Sequence, residues 1–534
     1  MKTLNPAQLY RTQRSPVLAR NIVASSQPLA ASAGVQMMAR GGNAIDAAIA
    51  AAITLTVVEP TMNGIGGDGF SLIWNGQKLH GLNSSGRSPA AWTPQRYAGR
   101  ETMPTYGWDS VTVPGAVAQW VALSKRFGKL PFAQLFEPAI RYARDGFGVA
   151  PILARQWQEF TYGELIEQPG FKQAFLPRGR APLAGERWQF EAQARTLEDI
   201  AKTGGESFYR GALAAKIAAF AKQCGGAMTQ ADLAAHEATW VEPIAKSHNG
   251  YTVHEIPPNG QGIAALMALG ILEQLPVAET AVDSAQRLHL QIEAMRLAFA
   301  DAYAYVADPA AMTLSPEALL DNAYLAGRAK LIDPKRAQRY PAGSPVRGGT
   351  VYLCAADQDG RMISLIQSNY KGFGSGVVIP DTGIAMQNRG WGFSLQPGHP
   401  NQVGPSKRPF HTIIPSFMTR DGKPVMAFGL MGGNMQPQGH LQVAMRYIVD
   451  GSNPQACSDA PRWRINDQGD LTVEAEMPQA TIDGLIALGH KVEVMPPQAM
   501  DFGSCQMIVR LSDDLADGYM AGSDHRRDGH AAAL

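Results

Sequence analysis

Two runs of small residues, 28–40 and 44–58, have helical length and are separated by Gly41, Gly42 and Asn43. Asn43 suits the N-cap of the second run. Ala, Gly and Ser let both helices lie close on a flat surface, and a sheet is the natural partner. The longest apolar stretch, 45–58, is too short to span a bilayer and contains Asp46, so it reads as a buried helix. A glycine-rich turn over 63–69 leads into a strand at 70–74, and Asn75-Gly76 is a hairpin signal before the return strand at 78–84.

The middle of the chain is mostly helical in period, over 115–127, 132–145, 196–203 and 284–307. In the last of these, Leu288, Ile292, Met295 and Phe299 fall on one face. Residues 251–255 read as a strand ending at Pro257-Pro258. Residues 333–349 are rich in Pro, Gly, Lys and Arg and have no apolar period, which predicts an exposed loop where the chain is open to cleavage. Beyond it the pattern turns to strands: 351–356 and 362–367 around a tight turn at 357–360, then 376–379, 413–419, 425–429, 471–474 and 506–510, with a helix at 437–450.

A chain of 534 residues allows two or three domains or one large layered core. Lys+Arg 47 against Asp+Glu 46 leaves a formal charge of +1 with no basic stripe, which argues against nucleic acid as a partner. Cys224, Cys354, Cys457 and Cys505 are scattered, so neither a disulfide scaffold nor a C-x-x-C site is expected. The first 20 residues lack an apolar signal core. The expectation is a soluble, cytoplasmic protein. The histidines show no metal-ligand spacing, and no G-x-S-x-G, H-E-x-x-H or Walker loop is present. No metal or cofactor is expected.

The chemistry concentrates in two segments. In the first, the loop ending Gly348-Gly349 delivers Thr350 to the start of a hairpin strand. Cleavage between Gly349 and Thr350 frees an α-amine, which then serves as the general base for the Thr350 hydroxyl. A turn centred on Asp359 and Gly360 sets Thr350 opposite Ser368 or Asn369. By itself, Gly-Gly-Thr also fits the plain start of a strand. In the second segment, Gly432-Gly433 lies between a strand and a helix, where two backbone N–H groups and a helix start suit an oxyanion hole. A simple strand-to-helix turn fits it equally well.

Together with further segments in the same order, the chain resembles the γ-glutamyltransferase family. Those segments include Gly41-Gly42-Asn43-Ala44-Ile45-Asp46, Gly64-Ile65-Gly66-Gly67-Asp68-Gly69, Val113-Pro114-Gly115-Ala116 and Pro257-Pro258-Asn259-Gly260. The resemblance implies an α/β (α+β) fold, a four-layer αββα sandwich of the N-terminal-nucleophile hydrolase type. It implies self-cleavage into a large subunit, 1–349, and a small subunit, 350–534, that remain associated. Thr350 matches the nucleophile, Ser368 the supporting hydroxyl, Gly432 and Gly433 the oxyanion pair, and Arg87 the arginine that binds the substrate carboxylate.

The departures from the family pattern concern the substrate. The acidic residue that grips an α-ammonium in glutathione-cleaving members falls at Gly392. The amide-bearing positions become Tyr370 and Arg389, and the paired serines become His411 and Thr412. The segment 393–407 is too short for the family's lid loop. Arg87 and Arg389 together then suit a carboxylate and repel an amine. The reading is a self-processing amidohydrolase of a small carboxylate-bearing amide, with oxamate first. A γ-glutamyl hydrolase or transferase acting on glutathione, a glutaryl-type cephalosporin acylase and an inactive binding or scaffold relative are the alternatives.

Overall fold

The computed structural model describes residues 13–338, 340, 349–497 and 499–534. Both small-residue runs are helices, Pro28–Ala39 (α1) and Ala44–Val58 (α2). Asn43 closes a capping box: its side chain accepts from the Ile45 and Asp46 N–H groups, and Asp46 accepts from the Asn43 N–H. All fifteen residues of α2 are buried, which explains why its sequence carries no polar face.

Two antiparallel seven-stranded sheets lie at the centre, with strands numbered in chain order. The first holds β1 (Val17–Ala19), β6 (Ile244–His248), β7 (Tyr251–Glu255), β10 (Ser416–Arg420), β11 (Lys423–Met431), β12 (Ser504–Arg510) and β13 (Tyr519–Ser523). Its spatial order is β1-β13-β12-β11-β10-β7-β6. The second holds β2 (Ile22–Ser25), β3 (Asp68–Trp74), β4 (Leu79–Asn83), β5 (Thr239–Val241), β8 (Gly349–Ala356), β9 (Met362–Tyr370) and β14 (His530–Ala533). Its spatial order is β14-β2-β8-β9-β3-β4-β5.

Strand β8 shows how the layers arise. Val351, Leu353 and Ala355 face a core shared with α1 and α2, while Tyr352, Cys354 and Ala356 face a core between the sheets. The period of two sends alternate residues to opposite faces, and both faces are apolar because both are covered. On the far side of the first sheet, a third core gathers Gly262–Leu272 (α3), Ala285–Tyr305 (α4) and Met435–Ile448 (α5). The layering is αββα, as the family resemblance implied. Both halves of the chain contribute strands to each sheet.

Most elements match the sequence reading to within a few residues, including β7 and the β8–β9 hairpin. The expected helix at 132–145 is instead a short 3-10 turn, Phe132–Phe136, followed by the helix Glu137–Asp145, with Pro138 at its start. Within the expected loop 333–349, residues 339 and 341–348 lie outside the described residues. No described helix is long and apolar enough to cross a membrane.

The sheets approach closely where β11 crosses β8. A Cβ at Gly429 would lie 2.4 Å from the Tyr352 ring. Gly429→Ala is therefore expected to destabilise the fold by about 1–3 kcal/mol, read as a lower thermal midpoint. Gly404→Ala, where nothing lies within 4 Å, is the control that leaves the midpoint unchanged.

Candidate active site

Thr350 is buried and sits at an irregularity in the β8–β9 ladder. The register runs regularly from Ala356↔Met362 to Val351↔Gln367, then shifts so that Gly349 pairs with Tyr370. A bulge of this kind re-aims a side chain at a strand end. The Thr350 hydroxyl donates to Ser368 Oγ at 3.3 Å, as the hairpin count anticipated. Ser368 Oγ also accepts the Tyr370 N–H at 2.7 Å. Tyr370 has φ +78°, so the strand ends in a backbone turn directly after the residue that supports Thr350.

The second contact to Thr350 comes from a residue that the sequence reading missed. Gln436 Nε2 donates to Thr350 Oγ1 at 3.3 Å, while Gln436 Oε1 accepts the Ile414 N–H at 2.9 Å. The backbone bond fixes the amide orientation, so its NH2 end faces the threonine. Its signal in the sequence was only its place in the first turn of the helix after Gly432-Gly433.

Gly432 and Gly433 have φ +122° and +61°, conformations that favour glycine. Among the described residues neither N–H has a hydrogen-bond acceptor. The Gly433 carbonyl accepts Gln261 Nε2 at 2.9 Å, which steadies the turn. Thr350 and Gly432 line one cavity of about 540 Å³. Its wall mixes apolar side chains, among them Met62, Phe160, Met431 and Met500, with the charged groups Glu159, Lys371, Arg464, Asp501 and Arg527.

The predicted substrate-binding residues fall elsewhere. Arg389 is fully buried and donates to Thr412 Oγ1 at 2.7 Å. Its guanidinium lies over the Tyr370 ring, 4.2 Å from the centroid. Arg389 Nε and Nη2 have no hydrogen-bond partner among the described residues. Burial draws its pKa down to about 10, against the pull of Tyr370 and Asp68. His411 is buried and meets Asp68 Oδ2 at 3.2 Å. Because His411 Nδ1 accepts the Ile413 N–H, Nε2 carries the proton and donates to Asp68. Burial, reinforced by Arg389 and Arg408, holds His411 neutral, and burial raises Asp68 to about 7. Asp68 was read only as part of a turn; here it is the acceptor that joins Gly86, Gly115 and His411.

Arg87 does not join this group. It is half exposed, pairs with Asp308 at 2.8 Å and donates to the Ser406 carbonyl. Neither Arg87 nor Arg389 lines the cavity that holds Thr350, so the expected two-arginine clamp is not assembled. The reason is local: Asp308 takes the one charge, and Tyr370 covers the other.

Tyr370, Trp391, Gly392 and Phe410 line a separate cavity of about 250 Å³. At Gly392 a Cβ would stand 2.7 Å from the Phe410 carbonyl oxygen, so the backbone itself excludes an acidic side chain there.

Residues 30–534 match the Gamma-glutamyltranspeptidase family. The chain is 36% identical over 530 residues to the glutathione hydrolase-like YwrD proenzyme of Bacillus subtilis (strain 168), covering 98% of this chain and 100% of that protein. It is 36% identical over 534 residues to the oxamate amidohydrolase proenzyme of Klebsiella pneumoniae subsp. pneumoniae, covering 97% and 99% respectively. The crystal structure of cephalosporin acylase from Bacillus halodurans superposes with a TM-score of 0.92 at 47% identity, covering 98% of each chain. A strand-initial threonine beside a Gly-Gly turn in an αββα core, with full-length matches on both sequence and structure, makes this chain an enzyme of the γ-glutamyltranspeptidase family.

Proposed function

We propose that the protein is a self-processing amidohydrolase in which Thr350 cuts its own chain after Gly349 and then hydrolyses a carboxylate-bearing amide that lacks an α-amine. The observation that carries this is the Thr350 hydroxyl, held between Ser368 and Gln436 on the wall of a cavity beside Gly432. The proenzyme relatives support self-processing, and the proposed fragments are 1–349 and 350–534.

In processing, Thr350 Oγ1 attacks the Gly349 carbonyl, the acyl group moves from nitrogen to oxygen, and water hydrolyses the ester. In turnover the freed Thr350 amine takes the hydroxyl proton as Oγ1 attacks the substrate amide. The Gly432 and Gly433 N–H groups receive the developing oxyanion. The amine returns the proton to the departing nitrogen, and water, deprotonated by the same amine, releases the acid.

Two features favour an acid without an α-amine. Lys371, Arg464 and Arg527 outnumber Glu159 and Asp501 on the wall of the Thr350 cavity, and no carboxylate stands at Gly392. Oxamate is the smallest substrate of this class and is named in a relative 36% identical. A bulkier acyl amide is the second reading. It is favoured by the volume of about 540 Å³ at Thr350 and by likeness to a cephalosporin acylase.

Purified protein is expected as two fragments, the smaller with Thr350 at its N-terminus. Thr350→Ala is expected as one inactive chain, read by denaturing gel and N-terminal sequencing. Gln436→Ala removes one hydrogen bond to the nucleophile, about 1–1.5 kcal/mol. Processed variant should lose roughly tenfold in kcat, with KM nearly unchanged; steady-state kinetics would expose a loss confined to KM. Release of ammonia from oxamate or of amine from glutaryl amides should exceed release from a γ-glutamyl anilide. A preference for the γ-glutamyl anilide counts against the carboxylate reading.

A further inference from the structure

A buried cluster that lines neither cavity described above has the composition of a metal centre. His289 and Glu293 lie one turn apart on α4, and His490 follows the helix Gln479–Ala487 (α6). The three offer ligand atoms that all lie within 4.8 Å of one another. His289 Nε2 meets the Asp333 carbonyl at 2.8 Å. A carbonyl only accepts, so Nε2 carries the proton and Nδ1 presents a lone pair to the cluster. This is the outer-shell arrangement that orients metal-binding histidines. His289 Nδ1 and His490 Nε2 stand 2.8 Å apart.

Two further atoms lack hydrogen-bond partners among the described residues. Glu293 Oε1 accepts none, although Glu293 is fully buried, and His490 Nδ1 has none either. The opposing charge is Arg296, whose Nε lies 3.5 Å from Glu293 Oε1. Glu293 Oε2 accepts the Gln338 N–H at 3.1 Å, and the Tyr340 hydroxyl also bonds this carboxylate.

We infer that His289 Nδ1, His490 Nε2 and Glu293 Oε1 form a site for a divalent transition-metal ion such as zinc. Two imidazoles and a carboxylate match that ion's preferences. Bonds of about 2.0–2.2 Å separate tetrahedral ligands by roughly 3.3 Å, so the histidines part slightly and the ion takes the place of Arg296 at Oε1. The sequence concealed the site because His289 and His490 are 201 residues apart. The ion would also join α4 to a residue beyond position 350 and brace the backbone at Asp333. Its role as a bridge between two subunits rests on the cleavage reading, whereas metal binding does not.

The test uses full-length protein stripped with a chelator and titrated with Co2+, then Zn2+. The expected result is one Co2+ per chain with a visible ligand-field band, its displacement by one Zn2+, and a higher thermal midpoint with Zn2+. Glu293→Gln and His490→Gln should each weaken binding at least tenfold and lose the midpoint shift. Absence of a Co2+ band and of stoichiometric Zn2+ uptake by the parent protein overturns the site, leaving a histidine–histidine hydrogen bond. So does unchanged uptake in both variants. The parent titration decides even where a variant fails to fold.

Discussion

Thr350 is gripped from two layers at once, and this double hold governs the rest of the site. Ser368 reaches it across its own hairpin, whereas Gln436 reaches it from the helix that follows β11 of the facing sheet. Any slip of one sheet against the other separates Gln436, Gly432 and Gly433 from the nucleophile. The fold resists that slip by close contact: Gly429 lies against the Tyr352 ring, and Tyr352 hydrogen-bonds Ser364 on the neighbouring strand. Because both sheets draw strands from either side of residue 350, a break there leaves the two fragments sharing one core.

Behind the nucleophile lies a layer of buried polar groups rather than an open acid-binding pocket. Arg389 is sandwiched by Tyr370 and tied to Thr412, and Asp68 anchors His411 and two backbone N–H groups. Such groups are costly to bury unless their partners are complete. Asp68 carries part of that cost as a raised pKa of about 7. Its protonated form fits the folded state in full below its unfolded value near ~4. As pH rises through 7, the folded state must ionise a buried carboxyl and that contribution is lost. The spare donors of Arg389 are the remaining imbalance in this layer.

The cavity at Thr350 and the smaller one at Gly392 meet different sides of the Tyr370–Lys371 turn. Lys371 lies over the rings of Tyr106 and Trp391, which spans the wall between them.

The local elements were legible in the chain because they depend on neighbours in sequence. Asn43 caps α2 through residues two and three positions away, and counting from the β8–β9 turn sets Thr350 opposite Ser368 or Asn369, of which Ser368 makes the contact. The layer order came from the family resemblance; the small and apolar residues of α2 showed only a buried helix that packs on a sheet. What the sequence left open were contacts between distant segments. Arg87 reads as a carboxylate ligand until Asp308, far along the chain, pairs with it. Arg389 reads as a pocket arginine until Tyr370 folds over it. Gln436 touches Thr350, and His490 meets His289, only because two sheets and their covering helices pack face to face. Spacing along the chain fixes which groups share an element; the packing of elements fixes which charges neutralise each other and which remain free for a ligand.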